Sequence, residues 1–372
     1  MSTRTATTLL SVALAACSSG GGDDAQDDAT AAPSPTPRPA PPPSALFVLG
    51  DSLSDVGNAS AARDYVLSLP LDPPTVGLCN PTDVLVTMRR CDDLFYLKSR
   101  VSNGPVAVER LAEKLGLPPL RPSLHLLPNL SRDGTVYAVA GAKARARGDA
   151  DLARQVDWLL LDHTPLPPDA VYVVMIGGND VIDALQANVA GRGAATPPSA
   201  AIIESTVDAI GTQVERLLDF GARRLVVANV PDLATLPAVR ADARSSADEP
   251  RVLAMATAIS ATFNLTLAAR LDRIDARASS STPRPVIARF DLHAALLAAE
   301  LTLAASGANA VDACFDTELY RDSSTAQRSF HPDCGPPAAD AEPRFDGFVF
   351  FDGIHPTAVT HAALGDALRA LL

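Results

Sequence analysis

The chain has 372 residues, 47% of them hydrophobic, enough to build a sizeable core. Its formal net charge is −12, it has no basic run and only 5% of it is aromatic. That balance argues against nucleic acid as a partner and suits a small uncharged or cationic substrate.

The first segment, MSTRTATTLLSVALAAC, carries one basic residue, Arg4, then a short apolar stretch ending in small residues. This is the layout of a secretory signal, and it is too short to span a bilayer as a helix. Leu14-Ala15-Ala16-Cys17 resembles a bacterial lipobox. The reading is a signal peptide over 1–16, removed to leave a lipidated Cys17. The alternative is an ordinary cleaved signal with Cys17 as a stray thiol. Several acyl chains on one cysteine anchor a protein stably, since each buried methylene adds about 0.8 kcal/mol. Residues 17–44 pass from Gly, Ser and Asp to Pro and Ala with almost nothing large to bury, so they read as a disordered, Pro-rich tether. The expected location is that of an exported lipoprotein at the outer membrane or cell surface, held to the membrane by its N-terminal anchor.

From residue 45 to 372 one domain is expected, because short apolar runs alternate with amphipathic stretches throughout. The predicted strands are ALFVLG (45–50), TVYAVAG (135–141), AVYVVMIG (170–177), RRLVVANV (223–230) and RPVIARFD (284–291). Each is a continuous apolar run bounded by polar or turn residues, as strands buried on both faces are. Helices are predicted after Pro105, after Gly148, over the stretch that ends in Gly221, and along VLAMATAISATFNLTLAARLDRI. The alternation predicts a three-layer α/β/α fold around a mostly parallel, five-stranded, flavodoxin-like sheet.

Two stretches, 69–103 and 307–344, break the alternation, and each holds a cysteine pair: Cys79 with Cys91, and Cys314 with Cys334. An even number of cysteines in an exported chain points to disulfides. Three pairings are open, of which the local ones, Cys79–Cys91 and Cys314–Cys334, are favoured. A metal site joining His331 to Cys314 and Cys334 is the rival, but its spacing matches no common zinc pattern. Long loops inside a compact domain are commonly functional, so these read as stapled insertions that wall a pocket. Tyr65, Phe95, Tyr96 and Phe315 lie in or near them.

Ligands of open parallel sheets bind beyond the carboxyl ends of the strands. At those ends the sequence places GDSLSD with Ser52, then Gly141, then GGND with Asn179; near the C-terminus FVFFDGIHPT holds Asp352 and His355. A serine hydroxyl needs a base to take its proton, and His355 is the candidate. Asp352, three residues earlier, reaches the other ring nitrogen across a tight turn. The backbone N–H groups of Ser52 and Gly141 and the amide of Asn179 would then receive the negative charge of an ester under attack. Each such donor is typically worth about 2.7–4 kcal/mol. Every residue also has a plainer reading. Ser52 fits a helix N-cap, Gly141 a strand end and Asn179 the cap of the next helix, while Asp352 and Pro356 fit the start of the last one. Taken together, the plainer readings require four coincidences at one edge of one sheet.

These blocks resemble the GDSL, or SGNH, family of esterases and lipases, whose four letters map onto Ser52, Gly141, Asn179 and His355. SNGPVAVERLAEKLGL (102–117) also resembles its bacterial secreted members. The resemblance covers the chain from residue 45 to the end. It implies hydrolysis of acyl esters through an acyl-enzyme, on a small-molecule or lipid substrate, with no cofactor. Phospholipids or lysophospholipids, short acyl esters, choline esters and O-acetyl groups on surface polysaccharide are the substrate classes considered; the rival from another class is a non-catalytic surface-binding lipoprotein. Ala140 stands where the family's usual wording has a second glycine, which leaves a backbone donor at Gly141 intact. Lys143 is expected beside the oxyanion donors, where it would affect acyl or leaving-group preference.

Overall fold

The computed structural model describes residues 42–68, 99–128, 132–191, 198–315, 330–334 and 343–372. The signal, nearly all of the tether, and both Cys79 and Cys91 fall outside the described residues, as does most of the first insertion.

Four parallel strands make the main sheet: β1 (Leu46–Gly50), β2 (Val171–Met175), β3 (Arg224–Ala228) and β4 (Val286–Phe290), side by side in that order. β1 and β2 are buried along their whole length, which is why they read as unbroken apolar runs. β4 is the edge strand and its Val286 is exposed. Helices between the strands fall into two groups. α1 (Asn58–Ser68) and α2 (Ala107–Lys114) come first in the chain, followed by α3 (Leu152–Asp162), α4 (Gly178–Ala190) and α5 (Pro198–Asp219). α6 (Pro237–Ser245), α7 (Glu249–Ala278) and α8 (Leu292–Ala305) lead to the C-terminal α9 (Ala358–Ala370). α3, α4, α5 and α7 pack on one another, and α2, α8 and α9 form a separate group. With the strands buried on both faces, the two groups complete the α/β/α layering. By length and composition α7 passes for a membrane span. It carries a stripe through Val252, Ile259, Phe263, Leu267 and Ile274 that is buried in the core, as a helix covering a sheet should.

The sheet differs from the expected five strands in one place. The predicted strand at 135–141 lies beside β1 and exchanges three backbone bonds with it: Val48 N–H to Thr135 O, Tyr137 N–H to Val48 O and Val139 N–H to Gly50 O. It is registered as an isolated parallel bridge at Val136, not as a strand. On its far side it meets one more isolated bridge, with Val136 N–H on Arg121 O at 3.1 Å and Ser123 N–H on Val136 O at 2.8 Å, and beyond that bridge, among the described residues, only side chains. Asn58 Nδ2 donates to Val136 O at 2.8 Å and Ala138 O at 2.9 Å, and Asp55 Oδ2 accepts the Ala140 N–H at 2.9 Å. Counting this segment, the spatial order is the flavodoxin-like 2-1-3-4-5, whose switch point falls between β1 and β2.

The second insertion is more regular than the sequence implies. Its start forms β5 (Asn309–Ala313), paired in parallel with β6 (Phe348–Phe350). Asp312 and the half-exposed pattern of β5 gave no apolar run to read. Cys314 and Cys334 are joined by a disulfide, Cα–Cα 5.3 Å, so both thiols a metal site with His331 would need are consumed. The bridge sits in its own cluster with Phe345, Phe348 and Phe351. Phe315 packs on Phe330 and Phe351 in that cluster.

Candidate active site

β1 ends at Gly50 because nothing larger fits: a Cβ there would lie 2.3 Å from Met175 O on the neighbouring strand. Gln155 latches this end, accepting the Gly50 N–H at 2.8 Å and donating to Gly50 O at 2.8 Å and Ala150 O at 2.7 Å. The chain then turns tightly, with the N–H groups of Ser54 and Asp55 on Asp51 O. The start of α1 is capped by Asp55, whose carboxylate accepts the N–H groups of Gly57, Asn58 and Ala59 at 2.7–3.0 Å. Ser52 therefore does not serve as the cap. Its hydroxyl instead meets His355 Nε2 at 2.7 Å.

His355 and Asp352 sit on the turn between β6 and α9. Phe351 N–H closes that turn on His355 O at 2.7 Å. Asp352 Oδ1 accepts the N–H groups of Ile354 and His355 at 2.8 and 2.7 Å, so the carboxylate is fixed by the backbone it belongs to. Its Oδ2 lies 2.8 Å from His355 Nδ1. Ser52, His355 and Asp352 thus form one unbroken hydrogen-bonded chain, although 303 residues separate the serine from the histidine. Burial pulls the His355 pKa down, but the Asp352 carboxylate and then Asp51 outweigh it, and the net shift is upward. The disulfide-bearing segment runs along the same strand, with Cys314 N–H on Phe350 O and Phe315 N–H on Phe351 O.

The third group of predicted residues gathers at the ends of β1 and β2. Gly177 precedes α4 with φ +118°, and a Cβ there would meet Phe263 at 2.9 Å, so glycine is required. Asn179 follows in the first turn of α4, and its Nδ2 donates to Ala142 O at 2.9 Å. That bond uses one of the two amide hydrogens and turns the other loose. Gly141 takes φ +82° in the intervening loop. The loop is clamped on both sides of it. Asp55 holds the Ala140 N–H, and Asp180 accepts the N–H groups of Ala144 at 2.8 Å and Arg145 at 3.3 Å. Among the described residues no acceptor takes the N–H of Ser52 or of Gly141. With the amide of Asn179 they make three donors with hydrogens to spare, near the positive end of α4.

Lys143, two residues after Gly141, is held by an ion pair. Its ammonium pairs with Asp183 at 2.7 Å, alongside Arg145, which holds the same carboxylate. Gln155, Asp180 and Asp183 are the supports that sequence reasoning missed. Their partners lie far along the chain, and no local pattern marks them. His361 is packed, accepting the Ala107 N–H at 3.2 Å, and burial pushes its pKa down to about 3. His125 stacks on Trp158. No group of three or more His, Cys, Asp or Glu suited to a metal ion occurs among the described residues.

Ser52, Asn179 and His355 line a cleft that opens to solvent. Its walls are aliphatic: Ile182 from α4, Leu233 and Leu236 before α6, Leu292 and Leu296 from α8, and Leu364 from α9. Asp51 and His355 are the ionisable groups on its lining.

Residues 46–368 match the family model described as GDSL-like lipase/acylhydrolase. The chain is also 25% identical over 358 residues to a phosphatidylcholine-sterol acyltransferase of Aeromonas hydrophila, covering 87% of this chain and 88% of that one.

Proposed function

The chain belongs to the GDSL-like lipase/acylhydrolase family and is an ester-hydrolysing or acyl-transferring enzyme; from that premise we propose a serine esterase that cleaves aliphatic acyl esters through an acyl-enzyme. The observation that carries this reading is the Ser52–His355–Asp352 chain at 2.7 and 2.8 Å, at the mouth of an aliphatic cleft. His355 Nε2 takes the proton of Ser52 as Oγ attacks the ester carbonyl, and Asp352 stabilises the imidazolium that results. The N–H groups of Ser52 and Gly141 and the amide of Asn179 hold the oxyanion. Collapse expels the alcohol, which leaves with the proton from His355. Water, activated by the same histidine, then releases the acid and restores Ser52.

The cleft walls bear on the substrate. Burying an acyl chain against Leu and Ile side chains contributes about 0.8 kcal/mol per methylene. Activity on p-nitrophenyl esters from acetate to palmitate should therefore rise with chain length and then fall once the cleft is filled. A preference for acetate alone would sink the acyl-chain reading and favour removal of O-acetyl groups.

Acyl transfer is the second reading, favoured by the similarity to an acyltransferase along 87% of this chain. An alcohol that enters the cleft faster than water would take the acyl group from Ser52. Adding an acceptor alcohol and measuring new ester against free acid separates the two readings.

The N-terminal reading completes the proposal: export and anchoring through lipidated Cys17. Mass spectrometry of the N-terminal peptide from the membrane fraction should find Cys17 as the first residue, carrying acyl chains. An unmodified peptide beginning elsewhere would leave the enzyme unanchored by this route.

A further inference from the structure

The block SNGP (102–105) has no part in the mechanism above, yet it reaches the turn that carries the base. Ser102 is fully buried, and its hydroxyl donates at 2.9 Å to the carbonyl of Pro356, the residue after His355. The side-chain oxygen of Asn103 accepts the Ala358 N–H, the first of α9, at 2.7 Å. This bond replaces a local cap. Thr357, the residue before α9, makes no side-chain cap, because its hydroxyl turns the other way, 2.8 Å from Phe348 O on β6. Asn103 supplies the missing acceptor from 255 residues away. Gly104 lets the block come this close, since a Cβ there would lie 2.9 Å from that of Ala358.

These bonds matter because of where the two halves of the site are carried. Ser52 follows β1 in the four-stranded sheet, whereas His355 follows β6, which pairs with β5 in a separate sheet. Strand pairing therefore does not set the distance between serine and histidine. Asp352 does not set it either: it fixes the ring of His355 but rides on the same turn. The segment around Asn103 touches both halves. Upstream, the Cβ of Ser99 lies 3.6 Å from where a Cβ on Gly57 would be, against the start of α1. Downstream, α2 and α9 cap each other's starts, His361 Nδ1 accepting the Ala107 N–H at 3.2 Å as Asn103 accepts that of Ala358.

We propose that Ser102 and Asn103 are positioning residues for the base: they clamp the peptide units on either side of Thr357 and so hold His355 Nε2 at 2.7 Å from the Ser52 hydroxyl. The inference rests on the reading of His355 as the base. Neither residue lines the cleft, so the effect runs through His355 and not through contact with substrate. A reacting group misplaced by about 1 Å loses on the order of a hundredfold in rate, whereas a lost cap costs only modest stability. The two consequences can be measured apart.

The test compares wild type with N103A, N103D, S102A and N188A, measuring kcat and KM on a p-nitrophenyl ester, and Tm. N188A is the control: Asn188 on α4 accepts the Ser199 N–H at the start of α5 at 2.9 Å, so the same kind of bond is lost elsewhere. N103A should lower kcat by about tenfold to a hundredfold with KM within about twofold. N103D, whose carboxylate still accepts the Ala358 N–H, should recover kcat to within about threefold of wild type. S102A should lower kcat by about threefold or more, again with KM little changed. N188A should lose as much Tm as N103A, about 2–4 °C, and keep its kcat. A wild-type kcat in N103A or in S102A overturns the proposal, as does an N188A enzyme that loses as much activity as N103A. Loss that N103D fails to recover, or loss carried mainly by KM, also overturns it. If N103A does not fold, S102A decides by the same criterion. Failure of the serine reading looks different: S52A would keep its activity, whatever the substitutions at 102 and 103 do.

Discussion

Replacing Ser52 by alanine is expected to lower kcat/KM for any ester the protein cleaves by about 10⁴-fold or more, with Tm within about 2 °C of wild type. The rate effect follows from chemistry: without Oγ there is no acyl-enzyme, and what remains is water attack aided by the oxyanion donors and binding. The small effect on stability follows from the local geometry. The side chain of Ser52 bonds to His355, whereas the start of α1 is capped by Asp55 and the turn itself is closed by backbone N–H groups on Asp51 O. Alanine breaks only the bond to His355. Deletion of a true cap typically costs about 1 kcal/mol, so a clear fall in Tm would return Ser52 to the structural role. Ester hydrolysis that persists at more than about a tenth of the wild-type rate would show that another group attacks the substrate. S52A should also abolish labelling by a fluorophosphonate, which reports on the nucleophile independently of substrate choice.

The strands were legible where both faces are buried. ALFVLG and AVYVVMIG needed only their unbroken apolar character, since β1 and β2 have no solvent-facing side. TVYAVAG has the same character and the right partner, β1, but its outer neighbours are a single bridge at Pro122 and the side chains of Asn58 and Asp55. Nothing in an apolar run tells whether its far edge meets a strand or the amide of Asn58. β5 was illegible for the reverse reason, being short, polar at Asp312 and half exposed. The reactive residues stood out because each sits at a strand end, where a buried run abruptly turns polar. The glycines beside them were equally readable: Gly50 and Gly177 mark places where backbone or Phe263 leaves no room for a side chain.

What the sequence did not reveal is how far the bracing reaches. Asp55 spans the site: Oδ1 takes the Gly57 and Asn58 N–H groups, and Oδ2 takes both Ala59 N–H at the start of α1 and Ala140 N–H across the site. Asp180, buried beside Asn179 in the first turn of α4, holds the far side of the same loop. The donor at Gly141 is thus fixed by carboxylates from two different elements, and its own side chain contributes nothing. This explains why Ala140 is tolerated where a second glycine was expected. The loop's conformation is set by bonds to backbone N–H groups, which any residue supplies. Lys143, in the same loop, gives its charge to Asp183, one turn along α4 from Asn179.

The second large effect is expected at Asp352. D352N should lower kcat by about 10⁴-fold, close to the loss from S52A, although it changes one atom. The reason is the tautomer of His355. Asp352 accepts from Nδ1–H, which leaves Nε2 without a proton and ready for the hydroxyl of Ser52 at 2.7 Å. In the asparagine variant the carbonyl oxygen keeps the bonds from the Ile354 and His355 N–H groups, so the NH₂ group faces Nδ1. Nδ1 then becomes an acceptor, the proton moves to Nε2, and the base points a hydrogen at the group it should deprotonate. The fold should tolerate the change, and the remaining stability difference should depend on pH in a defined direction. The folded-state pKa of His355 is raised, with Asp352 the main group raising it, so that stability is fully present below the unfolded histidine value of about 6.5. It is lost as pH rises through the folded value. The Tm gap between wild type and D352N should therefore be wider at pH 5.5 than at pH 8.5. A gap that widens toward alkaline pH would show that the carboxylate serves the turn more than the histidine. A D352N enzyme with more than about a tenth of wild-type kcat would place the orienting acceptor of His355 elsewhere.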